Sequence, residues 1–279
     1  MKKILFPTDF SDNANNALKF ILDWTAGEEI QLTVLHCFNI RATSSEINSY
    51  EVPRELDAIE EKTKEILKNL VEEINSDHPN VKASYDIKPG IPNSTIVSTA
   101  EELNVDYIVL GTQGASGIDK TLFGSVAAGV VEDAPFPVFA IPHDCQFNGF
   151  SSIVYATDYK LHDLQLINKA IEFASFYKSQ LLFAHVSTNK YDTNELLEWF
   201  STVVSQQAEY DKIDFKLTQH DHPVKGIDEL IKAENADLLM MNTQKRSGFL
   251  ERLFNKSITK EMAYATTVPL LAFHKEDVK

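Results

Sequence analysis

Residues 3–10 read KILFPTDF and residues 152–159 read SIVYATDY, so a short apolar run closing on Thr-Asp-aromatic occurs twice. Thr8 and Asp9 return as Thr157 and Asp158, 149 positions on, and TVLHC with His36 returns as LFAHV with His185 at the same spacing. Further along the spacing shortens to 131, where VDYIVLGTQG with Asp106 answers ADLLMMNTQK with Asp237, and the closing runs FPVFAIP and VPLLAFH align Pro137 with Pro269. A repeat of this length is one supersecondary unit used twice, the second copy being shorter in its middle.

Within each copy, apolar runs of strand length alternate with segments of helical period. Strands are expected near 3–8, 31–37, 81–87, 106–111 and 137–141. Leu56, Ile59, Ile66, Leu67, Leu70, Val71 and Ile74 recur three and four residues apart among Glu and Lys, which predicts a one-sided helix. YIVLG at 107–111 and DLLMM at 237–241 are apolar almost throughout, as a sheet covered by helices on both faces requires. The fold class is therefore α/β, two tandem doubly wound, mostly parallel Rossmann-like domains. The boundary is expected in HDCQFNGF at 143–150, dividing the chain into 1–147 and 148–279. So short a linker predicts that the copies pair within one chain, burying a surface that a single-copy relative would bury by dimerising; a homodimer of the whole chain is a further expectation.

The chain has 279 residues, 43% of them hydrophobic, enough for two cores. A formal charge of -15 repels a phosphate backbone and excludes nucleic acid as the expected partner. The start MKKILFPTDF lacks the long apolar stretch of a leader, and no run is long enough to span a bilayer, so a cytoplasmic protein without membrane attachment is expected. Cys37 and Cys145, far apart in sequence, are read as free thiols.

In open parallel sheets ligands sit beyond the carboxyl ends of the strands. There the first copy places Pro7-Thr8-Asp9 after its first strand, and Gly111, Gly114, Gly124 and Ser125 after its fourth. Spaced glycines between a strand and a helix start let bare amides and the helix N-terminus approach phosphate oxygens, which is how an acidic protein holds a polyphosphate.

Gly-x2-Gly-x9-Gly-Ser, with an acidic residue after the first strand, resembles the ATP-binding branch of the universal stress protein family, and the resemblance spans both copies. It implies that Pro7, Thr8 and Asp9 lie against adenine and ribose, with Cys37 and Leu110 flanking the base. Gly111, Gly114, Gly124, Ser125 and Val126 would wrap ribose and phosphates. The implied cofactor is ATP, or AMP or ADP, with a divalent ion such as Mg2+ on the phosphates. The second copy departs from this pattern. Asn242 replaces Gly111, Lys245 replaces Gly114, Asn255-Lys256-Ser257 stands for Gly124-Ser125, and Pro7 becomes Ala156. Side chains there are expected to crowd the phosphates, leaving the second copy structural or regulatory.

Plainer readings stand beside these. Glycines at strand ends usually make turns. GASGIDKT at 114–121 is one glycine short of a Walker loop, with Asp119 in that glycine's place. Asp9, Ser11 or Asp12 would serve as a helix cap. His36 and His185 are expected to be buried and hydrogen-bonded. His220-Asp221-His222 has metal-like spacing but no further ligand in the sequence. No catalytic triad, carboxylate pair or CxxC stands out. The expected function is a nucleotide-dependent sensor in the stress response, with slow ATP hydrolysis at most and an unidentified protein partner. The alternative is an acidic scaffold without nucleotide.

Overall fold

The computed structural model describes residues 1–38, 52–112, 124–159, 164–188, 194–243 and 266–274. The first half runs β1 (Lys2–Pro7), α1 (Asp12–Trp24), β2 (Ile30–Phe38), α2 (Val52–Asp77), β3 (Val81–Pro89), α3 (Pro92–Leu103), β4 (Tyr107–Gly111), α4 (Ser125–Asp133) and β5 (Val138–Ile141). The second runs β6 (Ser152–Ala156), α5 (Leu164–Tyr177), β7 (Gln180–Ser187), α6 (Asn194–Gln207), β8 (Ile213–Gln219), α7 (Pro223–Ala233), β9 (Leu238–Thr243) and β10 (Leu270–His274).

All five strands expected in the first half are present, each bound within two residues of its predicted limits. The predicted amphipathic helix is α2. Leu67, Val71 and Ile74 are buried on it as its period requires, while Ile66 faces solvent at 43% exposure; Leu56 and Ile59 lie outside the residues whose side chains are described.

The strands form one ten-stranded sheet in the order β3-β2-β1-β4-β5-β10-β9-β6-β7-β8. Every neighbouring pair is parallel except β5–β10, whose register sets Leu270 against Ala140 and Ala272 against Val138 antiparallel. Strand order thus reads 3-2-1-4-5 inward from either edge to a shared seam, the arrangement of two doubly wound sheets related by a two-fold. The repeat extends to single hydrogen bonds. Lys3 N–H donates to Asp106 Oδ2 at 2.7 Å, and Ser152 N–H to Asp237 Oδ2 at 2.9 Å. Asp106 N–H returns a bond to the Lys3 carbonyl and Asp237 N–H to that of Ser152. In each half, then, one aspartate fixes the start of the fourth strand against the first.

The seam is aromatic. Phe150, at the end of the linker, stacks on Phe139 of β5 at 6.2 Å and meets Phe173 and Tyr177 of α5 at 5.3 and 5.1 Å. Trp24 Nε1 of α1 donates to the Tyr177 hydroxyl at 2.7 Å. On the opposite face His274, 3% exposed, lies with Nε2 at 2.8 Å from the Val131 carbonyl of the other half. Truncating Phe150, 3% exposed, leaves a void that two packed helices cannot close. Phe150→Ala is expected to cost about 3–5 kcal/mol in urea unfolding and to separate the halves' transitions; an unchanged midpoint would mean that the seam contributes little.

Candidate functional site

At the carboxyl ends of β1, β2 and β4 the chain encloses a cavity of about 310 Å³. Pro7, Thr8, Asp9, Cys37, Leu110, Gly111, Gly124, Ser125 and Val126 all line it, residues up to 119 positions apart that strand order brings together. Gly114 and the Walker-like stretch 114–121 lie outside the described residues. Six further residues line the cavity that sequence reasoning did not select: Ala14, Leu35, Pro92, Ile96, Thr112 and Ala127. Pro92 and Ile96 come from the first turns of α3, whose Pro at the helix start is a legible boundary signal, though nothing in the spacing places that helix over this strand end.

The first wall is the turn after β1. Thr8 N–H continues the β1–β2 ladder to the Leu35 carbonyl at 2.8 Å, and the Thr8 carbonyl lies 2.8 Å from His36 Nδ1. Phe10 adopts a positive φ of 62°, held by its N–H on Thr8 Oγ1 at 3.0 Å, and its ring stacks on His36 at 4.8 Å. Of the three candidate caps, Ser11 is the one used: its Oγ accepts Ala14 N–H at 3.2 Å, while Asp9 Oδ1 accepts Ser11 N–H at 3.1 Å. Asp9 itself is exposed at the cavity edge. His185 repeats the histidine bond in the second half, Nδ1 at 2.8 Å from the Thr157 carbonyl. Both histidines therefore brace the turn after the first strand, His185 buried and His36 half-buried.

The second wall runs from β4 to α4. Gly124 N–H donates to the Thr112 carbonyl at 2.6 Å, pinning the residues before and after 113–123 together. Gly124 is the N-cap of α4 with φ −63° and ψ 142°, a conformation open to any residue, and offers no side chain to cap the helix. The first-turn amides of α4 lack intrahelical acceptors, and at the rim of the cavity they form an electropositive end.

Packing demands a glycine at 111 whatever the ligand. A Cβ there would collide with the Asn13 side-chain amide and lie 3.0 Å from the Asn13 carbonyl. Asn13 is 2% exposed and donates through Nδ2 to the Ile141 carbonyl at 3.4 Å, so α1 rests directly on β4 at this glycine. In the second half Asn242 stands at the corresponding position. Its Oδ1 accepts the Tyr155 hydroxyl at 2.5 Å, which directs the amide to its neighbour on β6. In the second half α7 packs closely on β7, where a Cβ on Gly226 would meet Val186 Cγ1 at 2.6 Å and His220 Cβ at 3.1 Å. Lys245 and 255–257 lie outside the described residues.

His220 and His222 do not converge on a metal: His222 N–H donates to His220 Nδ1 at 2.8 Å and the ring centroids stand 6.1 Å apart. Among the described residues no cluster of three or more His, Cys, Asp or Glu is placed to hold a metal ion, and no helix is long and apolar enough to cross a membrane.

Both thiols are free. Burial raises Cys37 to about 11, with Asp86 adding to the rise, and burial alone raises Cys145 to about 11. Each pKa lies above the ordinary 9.0, so the neutral thiol is what the fold favours. The contribution is complete below pH 9 and is lost as pH climbs through about 11. Thermal stability is expected to fall across that window, and iodoacetamide to label Cys37 only slowly at neutral pH, read by mass spectrometry; rapid labelling at pH 7 would contradict the raised pKa of this half-buried thiol.

A model described as the universal stress protein family matches residues 1–142 and 149–274. A universal stress protein of Methanocaldococcus jannaschii is 30% identical over 156 residues, half of this chain and 94% of that protein. One from Methanothermobacter thermautotrophicus is 30% identical over 144 residues, again half of this chain and 94% of its own length. A crystal structure of a universal stress protein from Archaeoglobus fulgidus covers 99% of this chain and 97% of its own at 24% identity, with a TM-score of 0.75, a likeness of fold across both halves.

Proposed function

From the premise that the chain belongs to the universal stress protein family over both of its halves, we propose that the N-terminal half binds one adenine nucleotide, ATP or its AMP and ADP relatives, and serves as a nucleotide-dependent sensor in a stress response. The observation that carries the proposal is the position of the cavity: apolar walls from Leu35, Cys37, Ile96 and Leu110, an exposed carboxylate at Asp9 and the uncapped start of α4 around one hollow. About 310 Å³ is at the small end of ligand pockets and suits a base and ribose. The phosphates then pass Gly124 and Ser125, where helix amides meet negative charge, and none of the described residues lining the cavity is a lysine. Asp9 accepts from ribose hydroxyls, and Cys37, uncharged, lies against the base.

The described residues fit the nucleotide and among them no metal cage is formed. A Mg2+ would be held by phosphate oxygens and water, its usual manner, and would neutralise phosphate charge in a protein of net -15. No water-positioning base is assigned, so hydrolysis is slow at most. The sensing unit is the first domain, 1–147; the second, 148–279, supports it across the seam and leaves the nucleotide to its partner domain.

A ligand at a hundred times its dissociation constant adds about 2.7 kcal/mol to the state that binds it. Mg-ATP is therefore expected to raise the melting temperature by several degrees, and protein denatured after purification to release adenine nucleotide near one per chain, read by ion exchange. Neither release nor thermal stabilisation would leave the acidic scaffold as the better reading.

A further inference from the structure

α4 has nine residues, too few to hold a helix without help at its ends. Its first turn lines the nucleotide cavity, and at its far end Ala134 N–H closes the last regular bond on the Val130 carbonyl at 3.0 Å. The next carbonyl, Val131, would take the N–H of residue 135, but that residue is proline and has none to give. Val131 is 1% exposed, and an unpaired acceptor in such a place is costly. The second half supplies the donor: His274 Nε2, at the end of β10, lies 2.8 Å from this carbonyl. With a carbonyl as acceptor, the ring proton must be on Nε2. Thr243 Oγ1, at the end of β9, stands 2.6 Å from the same nitrogen and 3.2 Å from the Phe273 carbonyl, so it shares the ring proton and donates its own to the backbone.

The bond runs one way. At the spacing that matches Pro137 with Pro269, Pro135 answers Thr267 and Pro142 answers His274. The second half thus has an amide where the first lacks one, and the first half has a proline, with no donor, where the second carries its histidine. The half with the nucleotide cavity is the one whose helix is completed by its neighbour.

We propose that His274 is a positioning residue for the nucleotide site: by closing the last turn of α4 from the other half it keeps the first-turn amides directed at the cavity, and through the same bond the second half senses whether nucleotide is bound. The inference rests on the nucleotide reading above. Without the bond the last turn is released, and in a helix this short and cooperative the loss spreads to the amides that meet the phosphates. Linkage gives the reverse effect: phosphate held at the first turn steadies α4 and tightens its bond to His274. Thr243 carries the effect further into the second half. It corresponds to Thr112, whose carbonyl receives Gly124 N–H at the rim of the first half's cavity, so a change at His274 arrives at the matching strand end of the second half.

The test uses the full chain and Mg-ATP. In calorimetry His274→Leu, its fold checked by circular dichroism, is expected to bind at least about fivefold more weakly than the wild type. His274→Gln, whose amide nitrogen extends about as far as Nε2, is expected to recover most of the affinity. Tyr177→Phe removes a different hydrogen bond across the seam, the one from Trp24 Nε1, and is expected to keep wild-type affinity. Nitrogen NMR of labelled histidines needs no variant: saturating Mg-ATP is expected to move the His274 ring signal and to leave that of His185 in place. Wild-type affinity in His274→Leu, an equal loss in Tyr177→Phe, or a His274 signal that does not move would each overturn the proposal while leaving the nucleotide site standing. A wild-type chain that binds no Mg-ATP would overturn the site, and this role of His274 with it.

Discussion

Ser125→Glu is expected to leave the fold intact, or slightly stabilised, and to weaken ATP binding by about a hundredfold or more. The two effects oppose each other for one physical reason. A carboxylate in the first turn of α4 faces the positive end of the helix and adds about 0.3–1 kcal/mol of stability. The same charge at the rim of the cavity repels the phosphates proposed to pass there, and like charges in contact cost several kcal/mol. Ser125 is exposed, and among the described residues its carbonyl accepts Asn93 Nδ2 at 3.4 Å, a backbone contact that glutamate leaves in place. Urea unfolding and calorimetry read the two effects separately. Wild-type affinity in the variant would move the phosphates away from α4.

Gly111→Val is expected to destabilise the N-terminal half by about 1–3 kcal/mol and to abolish nucleotide binding with it. The cause is the buried Asn13 of α1, which occupies the volume a side chain would need. The paired variants Gly111→Ala and Gly111→Ala with Asn13→Ala separate packing from ligand contact. The single change is expected to lower the unfolding midpoint, and the double to recover part of the stability together with nucleotide affinity. Recovery of stability without affinity would show that the glycine faces the phosphates after all.

The fold was legible because the chain states it twice. Thr8-Asp9 and Thr157-Asp158 fix corresponding strand ends, and Asp106 and Asp237, matched only by spacing, make the same bonds to the first strand of their halves. The rim residues after β1 and β4 were legible for a related reason, since strand ends in such sheets are where ligands collect. Other features needed three dimensions. The antiparallel β5–β10 pair joins Val138 to Ala272, a contact between short apolar strands whose composition names no partner. Asn13 carries no signal that it sits against Gly111, and Ile96 reads as any core position of a helix. Gly111 was selected for phosphate approach, and the structure adds a packing demand at the same position, because an empty Cβ position leaves the same letter whether a phosphate or a neighbouring amide fills it.

The second half shows where one substituted side chain goes. Asn242 in place of Gly111 suggests bulk in a binding site, yet its amide turns to Tyr155. Gly226 lets Val186 and His220 press onto α7, and in the first half Cys37, Pro92 and Ile96 stand around the cavity. A Val186→Cys change would reproduce one wall of the first cavity and leave His220 in place.

The most direct measurement is equilibrium dialysis of labelled ATP with Mg2+ against the intact chain, with Ser125→Glu alongside. One nucleotide bound per chain, lost in the variant, is the predicted result. No binding, or binding that survives Ser125→Glu unchanged, would contradict a nucleotide site at the start of α4.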